Sequence, residues 1–356
     1  FKDNLITSSY RDDFFELYIL NNDLGGKVSI PFLKENPIEI DLNFININNI
    51  DNDNGSRSAF LNLYNELSFE MIFNTESLVY NSHDYGSWSF SLSRDDKSLI
   101  LDNLKGVYGK WGLTFNENKV SRLIINREGL GWKTSLDSRA YSGSPEKAFK
   151  QIGIEPNFEM DTFEMDVSVN WSSLPWDVYY GNIIGDIDLN IKGLVIKNRE
   201  ELQAQNNLLR IVNIFNITDS FEKITNLDFR KLYKTGFSAD SVSGVINITK
   251  DDLNIKSPLV FKSGSSEFSW KGNILRDEKA FLKDLNLEVV MTLPLRDYLP
   301  AYALLLGGPL TAGIVYIAGK AFERNLDQLS SGSWSITGTL EQPETNFNGW
   351  FESSKN

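Results

Sequence analysis

Phe163-Glu164-Met165-Asp166-Val167-Ser168-Val169-Asn170-Trp171 is the stretch that decides the fold, because apolar and polar residues alternate through it without a break. A repeat of two is that of a β-strand, in which successive Cβ atoms leave on opposite faces. Such a strand has one greasy and one wet face, the pattern of an antiparallel sheet rather than of a parallel sheet buried on both sides. The same alternation recurs on either side. Ile187, Leu189 and Ile191 alternate with Asp188 and Asn190, and Ile38, Ile40, Leu42 and Phe44 alternate with Glu39, Asp41 and Asn43, one greasy face each. Leu285, Leu287, Val289, Met291 and Leu293 repeat it, broken only by Val290. Gly and Asn clusters punctuate these runs at turn positions. A loose motif of glycine, spacer and aromatic returns at Gly86-Ser87-Trp88, Gly109-Lys110-Trp111 and Gly332-Ser333-Trp334. Its irregular spacing fits stacked hairpins of similar design, or ordinary hairpin chemistry, and not a strict solenoid.

Helical patterns are few. Ser56 to Leu67 predicts a short helix with Phe60, Leu61 and Tyr64 on one face, and Ser144 to Ile152 another with Pro145 in its first turn. Arg199 to Phe221 has the spacing of an amphipathic or buried helix, and Asp228 to Thr235 reads as one or two turns stopped by Gly236. From Tyr298 to Gly319 no residue is charged, 22 positions in all. At about 1.5 Å per residue that length crosses a bilayer core. Pro300, Gly307, Gly308 and Pro309 interrupt it, which favours two short helices with a bend over one continuous span. A membrane-dipping hairpin, a soluble cap on a hydrophobic opening and a true span all remain open. Strand resumes at Trp334–Leu340.

The search for chemistry returns little. The net charge of −13 repels phosphate backbones, which argues against nucleic acid, and makes any membrane contact hydrophobic rather than polybasic. With no cysteine there is no disulfide, thiolate nucleophile or Cys-based zinc site, and the compartment is left undecided. The single histidine, His83, sits in a turn-like run beside Asp84, poorly placed for a triad. In Asp51-Asn52-Asp53-Asn54-Gly55 the register of a calcium loop fails, because Leu61 falls where the bidentate Glu belongs. The pairs Asp95-Asp96 and Asp251-Asp252 border strands, where neighbours point apart. We therefore expect neither an enzyme nor a cofactor or metal. The chain starts at Phe1 with no basic-then-apolar leader and reads as a fragment or processed form.

Greasy strand faces close into a dry core or line a channel for acyl chains. A methylene exposed to water costs about 0.8 kcal/mol, so a lipid with about thirty tail methylenes faces roughly 20–25 kcal/mol on leaving a bilayer unprotected. A continuous apolar trough removes that barrier with no catalytic group. Periodicity does not separate the two uses.

The stretch Asn207 to Phe347 resembles the C-terminal region of the AsmA-like proteins of Gram-negative bacteria, most closely their YhdP branch. The resemblance is carried by Leu208-Leu209-Arg210-Ile211-Val212-Asn213-Ile214-Phe215, by Leu227-Asp228-Phe229 and Gly236-Phe237, and by Val242-Ser243-Gly244-Val245-Ile246. It closes with Trp334-Ser335-Ile336-Thr337-Gly338-Thr339-Leu340-Glu341-Gln342-Pro343, its most specific part. Upstream, Val167 to Trp171 with Leu174-Pro175-Trp176, and Gly25 to Pro31, also fit. The likeness is strong after about Asn157 and loose before it.

The resemblance implies an elongated, twisted antiparallel sheet curled into an open hydrophobic groove, mainly β with short α-helices and a C-terminal apolar helical segment. It implies a periplasmic body bridging the inner and outer membranes, an inner-membrane anchor absent from this chain, and passive phospholipid transport. We expect a β-groove segment over 1–156 and an AsmA-like region over 157–356, with a helical insert at about 199–235, the apolar segment at 295–330 and a final strand at 333–341. Phe163, Met165, Val167, Val169 and Trp171 are expected to face lipid tails, as are Ile187, Leu189 and Ile191, and Leu285, Leu287, Val289 and Met291. Leu304, Leu305, Leu306, Leu310, Ile314, Val315 and Ile317 are expected to touch the outer membrane. The expected partners are phospholipids, the outer membrane and other envelope proteins. A rival reading is a scaffold that guides outer-membrane proteins by edge-strand addition. A third, a carbohydrate-active β enzyme, rests only on paired Glu and Trp residues.

Overall fold

The computed structural model describes residues 5–11, 13–47, 53–114, 121–151, 156, 158–179, 181–196, 237–264, 266–292, 331–340 and 342–351. The chain is mainly β, with two short α-helices among the described residues. It divides into two compact units: Phe1–Ser142 with Glu164–Gly185, and Gly143–Phe163 with Asp186–Asn356.

The first unit begins with β1 (Leu5–Arg11), β2 (Phe14–Leu20), β3 (Leu24–Pro31) and β4 (Ile38–Ile47), paired in order and antiparallel. Helix α1 (Asp53–Glu66) follows, then β5 (Met71–Thr75), β6 (Leu78–Tyr80), β7 (His83–Asp84), β8 (Ser87–Arg94) and β9 (Ser98–Tyr108). β5 and β6 both run parallel to β4, a departure from the all-antiparallel expectation. The reason is α1, because parallel neighbours need a crossover and a helix between strands supplies it. Pairing then returns to antiparallel through β5–β8 and β8–β9. β10 (Trp111–Thr114) and β11 (Arg122–Glu128) both pair with β9 and with β12 (Gly131–Ser142).

Helix α1 lies where Ser56–Leu67 predicts one. It buries Phe60, Tyr64 and Leu67 against Leu92, Leu99, Ile125 and Leu174. These three positions are four and three residues apart, one face of a helix. Leu61, expected beside Phe60 and Tyr64, is exposed, and Leu67 completes the stripe instead. The Trp132 ring meets Tyr64 at 4.9 Å and Phe60 at 5.2 Å, both edge-on.

The second unit contains α2 (Pro145–Gln151), β13 (Phe158–Glu159), β15 (Ile184–Ile196, from Asp186 on) and the start of β14 (Thr162–Trp171). α2 matches the helix predicted over Ser144–Ile152, and its Phe149 meets Phe158 and Phe163 edge-on at 5.1 and 5.6 Å. A six-strand antiparallel meander follows: β16 (Phe237–Ile248), β17 (Asp252–Ser263), β18 (Ser266–Arg276), β19 (Leu282–Thr292), β20 (Ser331–Gly338) and β21 (Pro343–Phe351). β21 lies beyond the final strand expected from the sequence, which ends at 341. Proline is tolerated at the first position of a strand, where its missing N–H costs no ladder bond. The predicted helices at 199–221 and 228–235 and the apolar segment at 295–330 lie outside the described residues. Among the described residues no helix is long and apolar enough to cross a membrane.

Candidate functional site

Ladder register turns the alternation of single strands into rows that run across them. In the first unit Leu17, Val28, Ile40, Phe73 and Phe90 are successive partners from β2 to β8. Two residues along each strand, and so on the same face, a second row runs Ile19, Gly26, Leu42, Thr75, Trp88, Gly106 and Leu113. On the other side a third runs Ile38, Met71, Leu92, Leu101 and Leu123. At about 4.8 Å per strand the second row extends roughly 29 Å. Phe73 and Phe90 stack at 4.9 Å within their row. Met71, Leu101 and Leu123 pack with the residues beneath α1, so the helix closes the face on that side. Leu17, Ile19, Val28, Ile40 and Phe73 are only half-buried.

Phe44, expected on this face with Ile38, Ile40 and Leu42, leaves it. A β-bulge pairs Gly25 with Phe44 and Gly26 with Leu42, skipping Asn43. The extra residue reverses the side-chain direction, and the Phe44 ring lies over Gly25 while Leu42 stays over Gly26.

The same strands line a trough of about 960 Å³, whose lining takes in the whole second row from Ile19 to Leu113 as well as residues that alternate with it. Among its lining residues Tyr18, Lys27, Asp41, Asn74 and Ser89 are successive partners across the strands, and Ser87, Val107 and Tyr141 line it too. The Glu16 carboxylate accepts hydrogen bonds from the Tyr18 hydroxyl at 3.0 Å and from Ser9 Oγ at 3.3 Å, with Lys27 Nζ at 3.6 Å. The Tyr18 hydroxyl and Lys27 hold Glu16 below the usual carboxylate range against the opposing effect of burial. Asn74 Nδ2 donates to Asp41 Oδ1 at 2.9 Å.

The second unit is two-faced in a different way. Val242, Phe261, Phe268 and Met291 form one row of partners and Leu259, Trp270, Val289 and Trp334 the next, none more than 6% exposed. Leu287 with Ile336, and Ile274 with Leu285, continue it, also buried. The other face is polar: Lys262 pairs with Glu267, Lys271 with Glu288, and Asn286 Nδ2 donates to Asn273 Oδ1 at 3.2 Å.

The residues expected to face lipid are distributed as follows. Leu285, Leu287, Val289 and Met291 share the closed face of the second unit with Trp270 and Trp334. Phe163 is buried against Phe149, Met165 and Val167 are half-buried, and Val169 and Trp171 are buried, with Trp171 Nε1 donating to the Leu174 carbonyl at 3.0 Å. Ile187 and Leu189 are half-buried and Ile191 is buried. Leu304, Leu305, Leu306, Leu310, Ile314, Val315 and Ile317 lie outside the described residues. The half-buried row through Ile40 and Phe73 is absent from the expected set. Ile38, Ile40 and Leu42 alternate visibly, but their partners on β5 and β8 are brought in by the α1 crossover, which periodicity does not reveal.

Among the described residues no group of three or more His, Asp or Glu side chains is placed to hold a metal ion. His83 is exposed in the short β7, opposite Tyr80. Asp95 works in a turn: its Oδ1 accepts from the backbone N–H of Lys97 and Ser98 at 2.9 and 2.6 Å. Those bonds, the one from Lys97 first, keep it below the usual carboxylate range.

A model of the family described as YhdP protein matches residues 1–345. No curated protein and no solved structure matches the chain significantly. With two-faced β-sheet among its described residues and a match over nearly its whole length, the chain belongs to the YhdP protein family.

Proposed function

We propose that this chain carries lipid acyl chains along the apolar rows of its sheet and serves passive phospholipid transport between the inner and outer membranes of a Gram-negative cell. The observation that carries the reading is the half-buried apolar row Leu17, Val28, Ile40, Phe73 and Phe90. Such rows substitute side-chain hydrocarbon for bilayer hydrocarbon at about 25 cal/mol per Å² of apolar surface covered. No chemistry is required of the protein, and none of the side-chain groupings above calls for any. Family membership supports the reading. Residues 163–171 and 187–191, and Leu285 to Met291, are proposed as further contacts for acyl chains, each within its own unit. The apolar segment at 298–319 is the proposed contact with the outer membrane, and the body is periplasmic.

A photo-crosslinking amino acid at Ile40, with Lys27 on the opposite face as control, tests this. Irradiation in cells followed by mass spectrometry is expected to give a phospholipid adduct at position 40 and little at 27. Equal labelling at both, or none at 40, removes the reading.

One observation favours the assembly reading as a second. All seven residues of β1 are exposed, and the strand presents an edge beyond its pairing with β2. An added strand would dock there. Copurification of a barrel subunit that is lost with Ser8→Pro would support it.

A further inference from the structure

We infer that the outer edge of β1 is a self-association surface, to which a second copy of this chain adds its own β1 in the antiparallel sense. An uncovered strand edge is commonly blunted by a proline, a bulge or charged side chains, because its free N–H and C=O groups recruit other strands. β21 carries all three: Pro343 opens it, Glu344 follows, and a bulge at Asn348 breaks its register with β20. β1 carries no such device from Leu5 to Tyr10. Its register with β2 runs through every residue from Leu5 to Arg11 without a shift, and its one charge lies at the end, on Arg11. Among the described residues β1 pairs with β2 and with no other strand. Its apolar side chains stand in water, with Ile6 64% and Tyr10 77% exposed.

The sequence of the strand points to its own copy as the occupant. Two antiparallel copies meet about a two-fold axis, so that if one residue faces another the reverse also holds. Centred on Ser8, the pairing uses the whole strand: Ser8 meets the partner's Ser8, Thr7 meets the partner's Ser9, Ile6 meets the partner's Tyr10 and Leu5 meets the partner's Arg11. Ile6, Ser8 and Tyr10 pair with Ile19, Leu17 and Phe15 of β2, so all three stand on the apolar face. There the dimer sets an aromatic ring against a β-branched side chain, a favourable cross-strand pair. On the other face it brings the hydroxyls of Thr7 and the partner's Ser9 together. No like charges meet. A register one residue off would set the apolar face of one copy beside the polar face of the other. Centres at Thr7 or at Ser9 leave Tyr10 and Arg11, or Leu5 and Ile6, without partners. The row Leu17, Val28, Ile40 and Phe73 then continues through the Ser8 pair into the same row of the second copy. A foreign strand docking on β1 would require no such symmetry in it.

The chain has no cysteine, so single cysteines report the register without interference. Cα atoms of directly opposed residues lie about 4.5–5.5 Å apart, within the span of a disulfide. Under air oxidation of the purified chain, Ser8→Cys is expected to form a covalent dimer about tenfold faster than Leu130→Cys, fully exposed between β11 and β12. Ile6→Cys lies four residues along the strand from its copy, roughly 14 Å, and is expected to be as slow as Leu130→Cys. In sedimentation velocity the parent is expected to move from monomer toward dimer as its concentration rises. Ser8→Lys opposes two ammonium groups in the dimer but meets only water in the monomer. It is expected to keep the parent's circular dichroism spectrum and to stay monomeric. The inference is overturned if the parent is monomeric at every concentration, if Ser8→Cys links no faster than Leu130→Cys or Ile6→Cys, or if Ser8→Lys dimerises as the parent does. Because the lipid reading is probed at Ile40, failure of one leaves the other standing.

Discussion

Ile40 on β4 and Val289 on β19 occupy equivalent positions in their strands, each apolar between two non-core positions and each within a row of apolar partners. Val289 is 0% exposed, while Ile40 keeps part of its surface in water. The first unit holds an apolar face that water still reaches, and the second holds one that is shut. Alternation therefore makes a sheet two-faced without deciding whether the greasy face is a core or a surface. That depends on what is laid over it: in the first unit α1 closes one side of the face and leaves the row through Leu17 half-buried.

Charge insertion separates the two units most sharply. Val289→Asp places a carboxylate where no water reaches, a class of change that costs more than about 4 kcal/mol, and is expected to abolish cooperative unfolding of the second unit. Ile40→Asp is expected to leave a folded protein with its circular dichroism intact while losing lipid adducts. If both variants unfold, the first unit's face is a core as well and the contrast disappears.

Truncation grades the same contrast. Trp334→Ala empties a fully buried site and is expected to cost about 3–5 kcal/mol in denaturant titration. Phe73→Ala, half-buried beside Phe90, is expected to cost about 1–2 kcal/mol. Equal losses would show that burial in the two faces is energetically alike.

The open face depends on backbone geometry at its turns. Gly86 has φ of 72°, and a Cβ there would strike the Val107 carbonyl oxygen across the β8–β9 ladder. Gly86→Ala is expected to destabilise the first unit by about 1–3 kcal/mol. Gly129, with φ of 61° and open space around it, gives the reference: its alanine variant should cost about 1 kcal/mol.

Acid gives the smallest effect. Glu16 and Asp95, both in the first unit, are held below their ordinary values, Glu16 chiefly by the Tyr18 hydroxyl and Asp95 chiefly by the Lys97 N–H. A lowered folded pKa means stability that is full above the unfolded value, about 4 for a carboxylate, and lost as pH falls through the folded one. Urea midpoints of the first unit are expected to fall gently below about pH 4, and Glu16→Gln to flatten that slope. An unaltered slope in the variant would remove Glu16 as its source.

Much of the fold was legible along the chain, and the misses have local causes. Strands with strict alternation, such as Phe163–Trp171 and Leu285–Met291, are strands in the structure, and α1 and α2 fall within a few residues of their predicted bounds. Phe44 was misassigned because a bulge at Asn43 reverses the alternation with no mark in the apolar pattern. Leu61 was misassigned because helical facing depends on where the sheet lies. The parallel β4–β5 pair was missed because strand direction is a property of the connection and not of the strand.

The candidate sites were less legible. The expected lipid-facing residues of β19 lie on the closed face, and the accessible row through Ile40 and Phe73 joins residues more than thirty positions apart. The trough likewise unites Tyr18 with Tyr141 only through the intervening ladders. Sequence alone determined that this is a two-faced β protein, because side-chain direction along a strand is set by the local backbone, residue by residue. Which partner meets which across strands, and which greasy face stays in contact with water, were decided only by tertiary structure, because register and covering are set by residues far away in the chain.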